Sequence, residues 1–264
     1  MWIPNGKLSC VLAVVAALAL ASCSPVAAAA PPPMLQGVHR IVTVGASITQ
    51  YAARPGGYVW LLRDYLAALY PDQHIEVVDA GVSGNMSSDM LARFKRDVVD
   101  RKADLVTIKC GFNDLWRKFT DHPNGDGPGG HTADEYGAFM GKMVDMSQAA
   151  RIRVLLMTPT IWEDAPDTMH NQKLEAYVEV VRDLARRRNL PLADQNAALT
   201  AAWETQRKRP ADQQVRLTTD QVHLTDAGDA VVARTTLLAM GISAADLDAA
   251  APQVRIDLGR AAKH

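Results

Sequence analysis

Three cysteines in 264 residues are too few for a disulfide framework. Cys10 and Cys23 fall in an apolar leader, and Cys110 ends a strand-like apolar run, where a buried free thiol is the plain reading. Excess charge is missing as well. Lys+Arg 28 against Asp+Glu 29 leave a net charge of −1, so nothing electrostatic points to nucleic acid or to an anionic membrane surface. No G-x-x-x-x-G-K-[ST] loop occurs and the first strand–loop junction is not G-x-G-x-x-G, which argues against a nucleotide-binding domain of flavodoxin-like fold. Nor is there an internal repeat.

What remains is an ordinary globular composition, 48% hydrophobic and 22% charged, behind a leader. Residues 1–23 read as an export signal: Lys7 supplies the positive start, and residues 11–21 form an apolar stretch too short to span a bilayer comfortably. It ends Leu20-Ala21-Ser22-Cys23, which resembles the lipobox of bacterial lipoproteins. That resemblance implies cleavage before Cys23, acylation of Cys23, and an exported protein held to a membrane of the cell envelope by its N-terminal lipid. The alternative is a secreted or periplasmic protein cut near Ala28 to Ala30. Residues 24–37, rich in Ala and Pro, suit a semi-rigid tether. Residues 38–241 then read as one domain, and residues 242–264 as a C-terminal tail.

Within the domain, apolar β-branched runs alternate with helical stripes. Strands are expected at residues 41–44, 75–78, 105–108, 154–157 and 191–193. Helices are expected over residues 57–70, through Met90 to Val99, and over 133–149 and 171–188; the last runs to Met240 from Thr225, its predicted N-cap. Repeated β-then-α units predict a three-layer α/β/α, flavodoxin-like domain with a mostly parallel five-stranded sheet.

In such a sheet the loops after the strands gather along one edge, where ligands bind. Four of them carry polar or glycine-rich sequence: Gly45-Ala46-Ser47, Ser83-Gly84-Asn85, Gly111-Phe112-Asn113-Asp114 and Asp220-Gln221-Val222-His223. Ester hydrolysis needs a nucleophile, a base, a carboxylate that orients the base, and donors for the oxyanion. Two residues separate Asp220 from His223, so one short loop can set the carboxylate against the imidazole while its other nitrogen faces Ser47. Gly84 can bring a bare backbone N–H close to a substrate, and Asn113 can offer a side-chain NH₂. Each segment taken singly is also a normal turn.

Together, and in this order, the blocks Gly45-Ala46-Ser47-Ile48-Thr49, Gly81-Val82-Ser83-Gly84-Asn85, Gly111-Phe112-Asn113-Asp114 and Asp220-Gln221-Val222-His223-Leu224-Thr225 resemble the SGNH or GDSL-type hydrolases. The run G-F-N-D-L-W-R-K-F from Gly111 is similar to bacterial esterase members. The resemblance implies Ser47 as nucleophile, Asp220 and His223 as the rest of a triad, and an oxyanion hole of the Ser47 N–H, Gly84 and Asn113. It implies no metal and no organic cofactor. Ala46 stands where the family usually has Asp, a change expected to loosen the Ser47 loop or lower the rate, and the one feature favouring a non-catalytic lipoprotein that binds an acylated glycan or lipid.

Other features have simpler accounts. Asp121, His122, Asp126 and His131 lack an established metal-ligand spacing and suit a solvated loop. Arg186, Arg187 and Arg188 sit at a helix C-terminus, where cations favour the dipole. Trp116 and Trp162 follow strand ends, as pocket walls or as packing. The expected substrates are carboxylic esters: short acyl esters, acetylated carbohydrate or lysophospholipid, with thioesters also allowed by the resemblance. Activity is expected to fall as pH drops through roughly 6.5, the ordinary histidine value. The sequence carries no reading of oligomeric state.

Overall fold

The computed structural model describes residues 30–261. The leader, Cys23 and the first residues of the predicted tether, 24–29, lie outside them. Five strands, β1 (Arg40–Gly45), β2 (Glu76–Gly81), β3 (Leu105–Lys109), β4 (Arg153–Met157) and β5 (Leu192–Ala193), form one sheet in the order β2-β1-β3-β4-β5. Every pairing is parallel. The register sets Gly45 beside Gly81 and Val44 beside Ile108, so the loops after β1, β2 and β3 leave the sheet at one level.

Strand alternation divides the core in two. Ile41, Leu105, Leu155 and Met157 face one layer, while Val42, Val44, Val106, Ile108, Val154 and Leu156 face the other. After the short α1 (Ser47–Tyr51), the first layer is built by α2 (Tyr58–Leu69), α7 (Gln195–Gln206), α8 (Asp226–Ala239) and α9 (Ala244–Ala261). The second is built by α3 (Ser87–Phe94), which continues as a π turn over Lys95–Val99, and by α5 (Ala133–Ala149) and α6 (Met169–Arg188). The remaining helix, α4 (Phe112–Trp116), is a short one after β3. This is the three-layer α/β/α architecture read from the sequence.

The folded unit passes both expected boundaries. Leu35, assigned to the tether, is fully buried in the first core, and Arg153 donates to the Gln36 carbonyl at 2.8 Å. Within the expected C-terminal tail, Leu247, Ala250 and Val254, spaced to share one helical face, bury α9 in the core that contains α2. That stripe is short and Ala-rich, and Pro252 lies within it, so its pattern is faint in sequence. Ser47 departs from expectation too. It is the first residue of α1, not part of a loop.

Candidate active site

Gly45 ends β1, and Ala46 turns the chain into α1, whose first residue is Ser47. At that position the Ser47 N–H has no intrahelical acceptor and is free to donate outward. The turn is tied down from three sides. Val82 N–H donates to the Gly45 carbonyl at 3.1 Å, Gln50 N–H to the Ala46 carbonyl at 3.0 Å, and Arg93 Nη2 to the Gly45 carbonyl at 2.9 Å. Arg93 also donates to the Ala80 carbonyl at 2.8 Å and to Asn85 Oδ1 at 2.7 Å, and pairs with Asp97 at 2.7 Å. One almost buried guanidinium thus joins the ends of β1 and β2 to the Gly84 loop. The bonds that hold this loop run through the Gly45 and Ala46 carbonyls, not through a side chain at position 46.

His223 arrives on the segment before α8. Residues 217–225 fold back on themselves, with a bridge between Thr218 and Leu224 and a bond from Thr219 N–H to the His223 carbonyl of 2.8 Å. Gln221 sits at φ +75°, a strained conformation for a residue with a side chain, at the tip that turns Asp220 back onto His223. Thr225 caps α8, its hydroxyl accepting from Gly228 N–H, as read from the sequence.

The result is a relay of contacts. His223 Nε2 lies 2.9 Å from Ser47 Oγ, and His223 Nδ1 lies 2.7 Å from Asp220 Oδ2. Asp220 Oδ1 accepts from the backbone N–H groups of His223 at 2.8 Å and Val222 at 3.2 Å. Partial burial works against the Asp220 carboxylate, but the His223 ring and these N–H groups outweigh it and hold its pKa down to about 2. An ionised Asp220 keeps the proton on Nδ1 and leaves Nε2 free to accept from Ser47.

On the other side of Ser47 lies a cavity of about 20 Å³, lined by Ser47, Asn85, Gly111, Phe112, Asn113 and Val222 among others. Gly111, at φ +108°, makes the turn from β3 into α4 that presents Asn113. One amide hydrogen of Asn113 is used on the Asn85 carbonyl at 2.9 Å, leaving the second to face the cavity. Gly84, at φ +79°, precedes Asn85 and falls one residue outside the cavity lining. Ser47 and Asn113 are therefore brought to one space, with Gly84 at its margin.

Several neighbours went unrecognised in the sequence. Asp114 is completely buried. It accepts from Ser87 N–H at 3.1 Å and from the Ser87 hydroxyl, and meets His131 Nδ1 at 2.7 Å. His131, weighed above as a metal ligand, instead fastens the long loop to α4, while His122 and Asp126 stand 3.6 Å apart in a separate pair. Lys109 ends β3 at 4% exposure and forms no ion pair among the described residues. Burial pulls its pKa down to about 8 against the opposing attraction of Cys110 and Asp229. A lysine closing the run L-V-T-I-K was a visible anomaly; Arg93 gave no such signal. Trp162 is buried and stacks on His170 at 4.3 Å, so it packs, whereas Trp116 is 44% exposed. Arg186 and Arg188 form surface pairs with Asp183 and Asp145.

Residues 43–231 match the GDSL-like Lipase/Acylhydrolase family. The chain belongs to that family. It is an ester hydrolase. It is similar to an acetylxylan esterase of Geobacillus stearothermophilus, at 32% identity over 214 residues, covering 77% of this chain and 94% of that protein. The solved structure of an acetylxylan esterase from that organism superposes with a TM-score of 0.67 at 29% identity, covering 78% of this chain and 95% of the other. An α/β hydrolase enzyme from the metagenome of Lake Arreo, Spain, matches with a TM-score of 0.66 at 28% identity, over 77% and 95% of the two chains. Structures of the Geobacillus stearothermophilus enzyme include catalytic mutants in which a serine, an aspartate or a histidine is replaced by alanine.

Proposed function

We propose that this ester hydrolase works through an acyl-serine intermediate at Ser47 and removes acetyl groups from carbohydrate. The observation that carries the mechanism is the single imidazole placed 2.9 Å from Ser47 Oγ and 2.7 Å from Asp220. His223 takes the Ser47 proton as Oγ attacks the ester carbonyl, and returns it to the departing alcohol oxygen. Water, deprotonated by the same His223, then attacks the acyl carbonyl, and His223 passes that proton to Ser47 Oγ as the acid leaves. The developing oxyanion is met by the Ser47 N–H, the spare Asn113 amide hydrogen and the Gly84 N–H.

Two observations favour a short acyl group on a sugar. The cavity beside Ser47, about 20 Å³, has room for one methyl-sized group. Relatives covering most of the chain are acetylxylan esterases. The test is a series of p-nitrophenyl esters of rising acyl length, run beside acetate release from acetylated xylan. The reading requires acetate to be preferred, and a preference for chains beyond about eight carbons would contradict it.

We propose further that the enzyme is exported and anchored by a lipid on Cys23, which lies outside the described residues. The support is the Leu20-Ala21-Ser22-Cys23 sequence ahead of a Pro-rich spacer. Cells expressing the full chain should incorporate labelled palmitate into it, and Cys23→Ser should abolish the label. An unlabelled wild-type chain cut near Ala30 would replace the anchor with plain secretion.

A further inference from the structure

Ser47 and His223 have an outer side that the reaction above leaves unassigned. A second cavity, of about 480 Å³, opens between α1 and the His223 loop, with Gln50, Tyr51, Arg54, Thr219 and His223 in its wall. It shares Ile48 with the small cavity, whose far wall carries Asn85 and Asn113. Ser47 lines the small cavity and His223 the large one, so the pair stands between them.

Proton delivery decides which half of an ester each can hold. When the C–O bond breaks, the leaving oxygen takes the proton that His223 Nε2 received from Ser47, so the alcohol must lie on the imidazole side. The large cavity is on that side. Its wall has the chemistry of a polyol site. Tyr51 follows Ser47 by one helical turn and is 51% exposed, its ring centred 5.0 Å from that of His223 with the planes tilted by 49°. Arg54 is fixed by Asp226 at 2.7 Å and Asp229 at 3.2 Å, yet 43% of its side chain stays exposed. Gln50 Oε1 accepts from Ser83 N–H at 2.8 Å, which leaves its NH₂ to donate elsewhere.

We propose that this cavity is the alcohol-side subsite and that Tyr51 is its platform, taking the apolar face of a pyranose ring while Gln50 and Arg54 meet its hydroxyls. The assignment rests on the acyl-serine reading and deepens it by naming the residues that hold the sugar ring. It makes Tyr51 a specificity residue, distinct from those that perform the chemistry.

The test compares two acetyl esters that differ only in the alcohol, an acetylated xylo-oligosaccharide and ethyl acetate, on wild type, Tyr51→Ala and Tyr51→Phe. Tyr51→Ala should lower the kcat/KM ratio of sugar ester to ethyl acetate about tenfold, chiefly through KM, and Tyr51→Phe should restore it. An equal fall in kcat on both esters would reduce Tyr51 to a prop for His223 and overturn the assignment. An unchanged ratio would overturn it as well. Failure of the underlying mechanism looks different: Ser47→Ala would then still hydrolyse ethyl acetate.

Discussion

Among the described residues serine, aspartate and histidine meet in two clusters, and the order of contacts differs between them. In the first, His223 stands between Ser47 and Asp220, and the histidine and aspartate side chains are 29% and 57% exposed. In the second, Asp114 stands between Ser87 and His131 and is fully buried. The order of contacts decides the chemistry. A serine against an imidazole has a base for its proton, whereas a serine against a carboxylate simply donates a hydrogen bond to it. The second cluster joins the start of α3, the α4 turn that carries Asn113 and the loop ending at His131, and so it is a clamp beneath the oxyanion side of the first.

Substitutions that treat the clusters alike should separate them. Ser47→Ala is expected to cost about 10⁴-fold or more in kcat with little change in melting temperature. Ser87→Ala should leave kcat within a few-fold and cost about 1–2 kcal/mol of stability, read from denaturant unfolding. Asp220→Asn should cost about 10⁴-fold in kcat, because the amide favours the wrong imidazole tautomer. Asp114→Ala, by contrast, leaves the buried Ser87 N–H and the His131 ring without their partner. It is expected to destabilise by about 3 kcal/mol or more. A stable Asp114→Ala would dissolve the distinction between clamp and triad.

Acid should sharpen the same contrast. Asp220 has a folded-state pKa of about 2, below its ordinary 3.8, so its contribution to stability is present above 3.8 and is lost as pH falls through about 2. Activity lost between neutral pH and about 4 therefore does not come from protonation of Asp220. In Asp220→Asn that acid-dependent loss of stability should be absent, and an unchanged loss would assign it to another carboxylate.

A further effect is expected at Lys109, buried at the end of β3 and lining the small cavity beside Ser47. Folded Lys109 releases its proton at about 8 and unfolded Lys109 at 10.5, so between these values the unfolded chain binds more protons and wild-type stability rises with pH. Below 8 the burial cost is present in full, roughly 3 kcal/mol at most. Lys109→Met should therefore be the more stable protein at pH 7, by an amount that shrinks between pH 8 and 10.5. Asp229 keeps Arg54 and the Tyr58 N–H as partners in that variant. A less stable Lys109→Met would show that the ammonium contributes to the fold.

Much of this was legible in the chain. Runs such as Arg40–Gly45 and Leu105–Lys109 declare themselves by β-branched residues bounded by glycine. The helix expected over residues 133–149 forms there, with Thr132 and Glu135 capping it and Tyr136, Met140 and Met143 on its buried face. α7 escaped notice since only Leu199 and Gln195 are buried in it, and Ala-rich turns carry little pattern. Asp220 and His223 were readable as a pair because they are neighbours in sequence. Asp114 with His131, and Arg93 with Gly45 and Asn85, are long-range pairs whose members look like ordinary surface charges until the sheet brings them together.

The most direct test of the central claim is to trap the intermediate. The described domain is mixed with p-nitrophenyl acetate, quenched in acid within the first turnover, and mapped by peptide mass spectrometry. The account predicts one acetyl group on the peptide holding Ser47, absent in Ser47→Ala and accumulating when water attack is slowed. Acetyl on any other residue, or full hydrolysis by Ser47→Ala, would contradict it.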